Sequence, residues 1–156
     1  MLEALARLRP AAPPLVIRGS GSLEAEIRAQ AERLRLDVRF LGFLSPDELS
    51  AAYNAATCLV HTGDVETFGL AVAEAMACGR PVVAVASGAV PEVLGGGGVL
   101  APRDDPAAFA RVLAELLADA ERRAALGATG RRRAVELFSL ERLGREYSEA
   151  LETLRG

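Results

Sequence analysis

The stretch from Phe68 to Val85 constrains the fold more than any other part of this chain. Phe68 to Cys78 reads as a helix that is apolar almost all round, Gly79 stops it, and Pro81-Val82-Val83-Ala84-Val85 follows at once as an apolar strand. A helix without a wet face and a strand without alternation both have to be buried, which suits a sheet covered by helices.

The rest of the chain repeats the alternation. Leu2 to Leu8 has the spacing of a short amphipathic helix, Pro10 to Pro14 breaks it, and Leu15-Val16-Ile17 reads as a strand. Leu23 to Leu34 is a second helix and Val38 to Phe40 a second strand. Ser45-Pro46-Asp47-Glu48 forms a capping box with proline at the first helical position, so a third helix starts at Pro46. Thr57 to His61 is a strand ahead of the Phe68 helix, and Gly98-Val99-Leu100 a last short one. Three helical stretches then run to the end from Asp105-Pro106, with Asp119 and Ser139 as caps for the second and third. Alternation of this kind predicts an α/β fold: a doubly wound parallel sheet with right-handed crossovers, and a helical C-terminal segment. No internal repeat or linker divides residues 1–156, so one domain is expected; Gly95 to Gly98 is only a local turn.

Composition narrows the function. The chain is 51% hydrophobic and 25% charged, ordinary for a soluble globular domain. A net charge of −3 and 4% aromatic residues offer neither the basic field nor the stacking platforms of a nucleic-acid binder. No apolar run reaches the ~20 residues of a membrane span, and no basic-then-apolar leader opens the chain, so a cytoplasmic location is expected. Cys58 and Cys78 make no metal-ligand or Cys-x-x-Cys spacing and read as small buried hydrophobes; no metal site is expected. Arg131-Arg132-Arg133 falls on a helix and reads as a solvated face, with contact to a membrane surface as the other reading.

In a parallel sheet ligands bind beyond the C-terminal strand ends. Gly19-Ser20-Gly21, Gly42, His61 to Thr67 and Ser87-Gly88-Ala89 all follow expected strands and would gather there. The helix start at Phe68-Gly69-Leu70 offers free amides and a positive dipole end to a diphosphate. Gly69 lets a ligand approach the backbone. Glu66 and Glu74 would be repelled by phosphate, so their targets are neutral sugar hydroxyls. The combination suits a sugar nucleotide.

At these residues the chain resembles the C-terminal, donor-binding domain of the GT-B glycosyltransferases, in particular the retaining group with a Glu-x7-Glu motif. Glu66 and Glu74 match its two acids, and Val16 to Gly21, Val38 to Leu44 and Gly88 to Val93 follow in the family's order, so nearly the whole chain is covered. The resemblance implies a Rossmann-like half of a GT-B fold that binds a nucleotide diphosphate sugar and takes part in hexose transfer. It assigns Glu66 to the transferred sugar and catalysis, Glu74 to the ribose, and the backbone at Phe68, Gly69 and Leu70 to the donor. Gly42 stands where the family's backbone meets the base. Gly19 and Gly21 are further donor-contact candidates, His61 stands beside the cleft as another, and Glu92 is a secondary one. No cofactor is implied beyond the donor substrate.

Thr67 and His61-Thr62 depart from the family's usual glycine after the first acid and Pro-Ser before it. The family's domain usually opens with a strand followed by an Arg and a Lys for the diphosphate; this chain contains no Lys. The resemblance therefore leads us to expect a fragment lacking that first strand and the N-terminal acceptor domain, inactive alone. It further implies that the helix from Ser139 to Leu154 has lost a partner and exposes an apolar face. A stand-alone sugar-nucleotide binding module and a sugar-nucleotide epimerase are the rival readings. A dinucleotide-binding dehydrogenase is disfavoured, because Glu24 stands where the third glycine of Gly-x-Gly-x-x-Gly should be.

Overall fold

Along the strand Val82–Val85 every residue is buried, and alternate side chains enter different cores. Val82 and Ala84 pack with Val72, Met76, Val90 and Leu94 on one side. Val83 and Val85 pack with Ala4, Leu5, Phe109, Leu113 and Leu116 on the other. This strand is therefore the middle layer of a helix–sheet–helix sandwich, which is the doubly wound arrangement expected. A computed structural model describes residues 1–154; positions 155 and 156 of the expected domain lie outside the described residues.

The elements run α1 (Leu2–Ala6), β1 (Leu15–Arg18), α2 (Glu24–Leu34), β2 (Val38–Gly42), α3 (Pro46–Ala55), β3 (Leu59–His61), α4 (Leu70–Ala77), β4 (Val82–Val85), α5 (Val90–Leu94), β5 (Gly98–Ala101), α6 (Pro106–Ala118), α7 (Ala120–Phe138) and α8 (Leu140–Thr153). All ladder pairings are parallel. They fall into two groups rather than one continuous sheet: β1 with β2, and β3-β4-β5. Among the described residues, β1 and β3 each keep one edge without a ladder partner. The cover is also uneven, for the outward residues of the smaller ladder, Val16 and Leu41, remain exposed.

Local chemistry sets the helix ends. Glu48 accepts from the Ser45 amide at 2.8 Å and its own amide reaches Ser45 Oγ at 3.4 Å, completing the capping box. Asp105, Asp119 and Ser139 accept from the amides of Ala108, Arg122 and Arg142, capping α6, α7 and α8. α4 starts at Leu70 rather than at Phe68, because Gly69 takes φ 96° and turns the chain immediately before the first helical residue.

Helix α7 closes the core by lying against the ends of its neighbours. A Cβ added at Gly127 would stand 2.2 Å from the Gly79 carbonyl oxygen, so this crossing needs a residue without a side chain. Its arginines then serve the carbonyls that helices leave unpaired at their C-termini. Arg131 donates to Ala77 O of α4. Arg133 donates to Val93 O at 3.0 Å and Glu92 O at 2.6 Å at the end of α5, and Arg123 to Leu116 O at 3.0 Å in α6. The solvated-face reading of Arg131-Arg132-Arg133 thus holds for the exposed Arg131 and Arg132, although Arg131 also bonds α4, and fails for the half-buried Arg133. Helix α8 exposes Leu140, Leu143, Tyr147 and Leu151 along one stripe, which its C-cap Leu154 continues. Among the described residues no helix is long and apolar enough to cross a membrane.

Candidate functional site

Glu66 sits in the loop between β3 and α4 and is pinned through its backbone. Its carbonyl accepts from the Ala89 amide at 3.1 Å. Gly88 lies so close that a Cβ there would be 1.9 Å from that oxygen. A second tie joins the same two loops, Ser87 Oγ donating to Asp64 O at 2.6 Å. The loops after β3 and β4 are therefore locked together at the strand ends.

The Glu66 side chain folds back on the helix it precedes. Its Oε1 accepts from Gly69 N at 2.9 Å and Phe68 N at 3.3 Å, a carboxylate at the positive end of α4. The expectation of free amides at Phe68-Gly69-Leu70 is corrected accordingly: the Phe68 and Gly69 amides bond Glu66 itself. The amides of Leu70 and Ala71, in the first turn, have no carbonyl of that helix to bond and are the donors left for an anion.

His61 ends β3 with its side chain only 14% exposed. Its Nε2 is buried without a hydrogen-bond partner and stands 3.7 Å from Glu66 Oε2. Gly63 covers the ring, a Cβ there falling 3.1 Å from Nε2.

Glu74 lies on the same helix, one residue beyond the buried Val72 and Ala73. The reason for a charge there is Tyr53 of α3, whose hydroxyl donates to Glu74 Oε2 at 3.0 Å and lies 3.4 Å from Ala71 O. Burial pushes the Tyr53 phenol well above its ordinary range. The bond to Glu74 and that residue's negative charge add to the rise, while the Arg18 guanidinium at the end of β1 opposes it.

Phe68 and Leu70, 39% and 67% exposed, flank a cleft of about 400 Å³ that also takes in Glu74, Phe138, Arg142 and Leu143. Phe68 meets Phe138 edge-on, with ring centroids 5.5 Å apart. Gly19 and Gly42 come together at the tips of β1 and β2, where Gly19 N donates to Gly42 O at 2.7 Å. Both have positive φ and open space where a side chain would stand. Gly21 follows in the turn into α2, its carbonyl accepting from Glu24 N at 3.1 Å. Glu92 is an exposed residue of the first turn of α5.

The candidates thus form three groups at the strand ends: Glu66 with His61, Phe68 and Gly69; Glu74 with Tyr53 and Leu70; and the Gly19–Gly42 pair. Sequence reasoning missed Tyr53, whose only signal was its place in α3. It placed Ser87 to Ala89 at this edge without finding that they clamp Glu66. Among the described residues, no group of three His, Cys, Asp or Glu side chains is arranged to hold a metal ion.

The chain is similar to known proteins over most of its length. Over 163 aligned residues the chain is 33% identical to a GDP-mannose-dependent monoacylated alpha-(1-6)-phosphatidylinositol monomannoside mannosyltransferase of Corynebacterium glutamicum, covering 98% of this chain and 43% of that protein. It is 42% identical over 120 residues to a D-inositol 3-phosphate glycosyltransferase of Salinispora tropica, covering 73% of this chain and 25% of the relative. Among solved structures, HepE of Anabaena in complex with UDP and glucose superposes with a TM-score of 0.87 at 27% identity, over 97% of this chain and 43% of that one. Sucrose-phosphate synthase from Thermosynechococcus elongatus gives 0.84 at 30% identity, over 98% and 42%. The chain therefore spans less than half the length of each of these proteins. The family model described as Glycosyl transferases group 1 matches residues 1–133, and with its GT-B C-terminal architecture the chain belongs to that family.

Proposed function

We propose that this chain is the donor-binding half of an enzyme that moves a hexose from a nucleotide diphosphate sugar to an acceptor. The observation that carries the reading is the start of α4. Two first-turn amides, at Leu70 and Ala71, remain for an anion, while the Glu66 carboxylate holds the amides just before them and Glu74 follows four residues after Leu70 on the same helix. In this reading the diphosphate meets the amides and the helix dipole, which stabilise negative charge as it develops on the leaving group. The carboxylates take hydroxyls: Glu66 those of the sugar, Glu74 those of the ribose. Gly42 and the neighbouring Gly19 and Gly21 carry the base side of the site.

Relatives support the ligand class. One carries GDP-mannose dependence in its name, and a structural neighbour binds UDP and glucose. Within these residues, which include no Lys, backbone amides and arginines such as Arg18 are the groups offered to the phosphates. We further propose that turnover requires an N-terminal acceptor domain. On this proposal a further strand completes the sheet between β1 and β3, whose edges have no ladder partner among the described residues. Cytoplasmic location belongs to the same proposal.

Calorimetric titration with UDP, GDP and ADP, each with and without its hexose, tests the reading. Selective binding of one nucleotide, altered by the attached sugar, is expected; a folded chain that binds none of the six overturns it. Glu74→Ala is expected to weaken nucleotide affinity while the domain stays folded, and unchanged affinity removes Glu74 from the ribose site.

A further inference from the structure

We infer that His61 is a positioning residue for Glu66, taking over its carboxylate through Nε2 when that carboxylate leaves the α4 amides for the hydroxyls of a donor sugar. The inference rests on the donor-site reading above and adds a role for a residue that reading leaves as a loose contact.

A buried polar atom without a hydrogen-bond partner calls for an explanation, and His61 Nε2 is such an atom. The acceptor beside it is Glu66 Oε2 at 3.7 Å, too far for a hydrogen bond and about 0.8 Å from a good one. Meanwhile Oε1 is held by the amides of Phe68 and Gly69. The carboxylate thus lies between two sets of donors and is bonded to one.

The surroundings restrict what can move. The Glu66 backbone is clamped by the Ala89 amide and the close approach of Gly88. The His61 ring is covered by Gly63, where even a Cβ would stand 3.1 Å from Nε2. The Glu66 side chain is left as the free part, and a small rotation trades the amide bonds of Oε1 for a bond from Nε2–H to Oε2. That exchange keeps one carboxylate oxygen anchored, turns the other outward, and returns the Phe68 and Gly69 amides to the ligand. Nε2 donates equally in the neutral Nε2–H tautomer and in the imidazolium.

The experiment compares each nucleotide sugar with its bare nucleoside diphosphate by calorimetry, using UDP-glucose against UDP and GDP-mannose against GDP. His61→Phe keeps the volume and removes the donor. It is expected to lower affinity for the preferred nucleotide sugar about tenfold, the size of one charge-assisted hydrogen bond, with the matching diphosphate unchanged. His61→Gln, which places an N–H near the Nε2 position, restores most of the loss. Gly63→Ala, which displaces the ring without removing it, gives the same selective loss and serves if His61→Phe does not melt cooperatively. Equal affinities for wild type and variants, or a parallel fall for sugar and bare diphosphate without rescue by glutamine, overturns the inference. A wild-type chain that binds none of the UDP, GDP and ADP ligands overturns the donor-site reading itself, and His61's role with it.

Discussion

Tyr53 donates its phenolic hydrogen to Glu74 Oε2 at 3.0 Å, joining α3 to α4 across the inside of the candidate site. One oxygen of Glu74 is thereby committed to the protein, which fixes the rotamer and leaves the other oxygen for a ligand hydroxyl.

Tyr53→Phe is expected to destabilise the chain by about 1–2 kcal/mol, since it leaves a half-buried carboxylate short of a donor. The effect depends on pH in a defined direction. The folded-state pKa of Tyr53 is raised, first by burial and then by Glu74. Its contribution is therefore fully present below the unfolded value of about 10 and is lost as pH rises from there toward the folded value. Urea unfolding of both proteins at pH 7 and above pH 10 checks this: the gap between them narrows at alkaline pH, and a constant gap refutes the assignment.

Gly88→Ala is expected to cost more than about 2 kcal/mol, because φ is +49° and the added Cβ would overlap Glu66 O at 1.9 Å. The loop carrying Glu66 then has to move. Loss of thermal stability together with weaker nucleotide-sugar binding is the expected pair of results; wild-type melting would show that the clamp is soft.

Two alanine substitutions in neighbouring helices are expected to have opposite signs. Gly127→Ala forces α7 away from Gly79 O, 2.2 Å from the new Cβ, and destabilises by about 2–3 kcal/mol. Gly144→Ala in α8 meets nothing within 4 Å and stabilises by up to about 1 kcal/mol through helix propensity alone. Denaturant midpoints measured side by side decide it.

Cys58 is expected to resist alkylation in the native chain. Burial pushes its thiol up to about 11, against the opposing charge of Arg123, so only roughly one molecule in a thousand carries the thiolate at pH 8. Iodoacetamide labelling followed by mass spectrometry should find Cys58 modified only after urea is added. Rapid native labelling would mean that the β3 end of the core opens.

Much of the molecule was legible without coordinates because its signals are local. The apolar α4 and β4, the Ser45–Glu48 box and the Asp105, Asp119 and Ser139 caps are each specified within a few residues of chain. The eight-residue spacing of Glu66 and Glu74 around a helix start is of the same kind, as are the parallel strands implied by strand–helix alternation. Local signals therefore set the order of elements and the type of each group at the strand ends. Packing in three dimensions sets how those groups are used: Tyr53 meets Glu74, Gly88 and Ala89 clamp Glu66, Arg131 and Arg133 cap α4 and α5, and β1 and β3 do not pair. These contacts join residues far apart in the chain, and their distances follow from how helices pack on the sheet, which no local periodicity records.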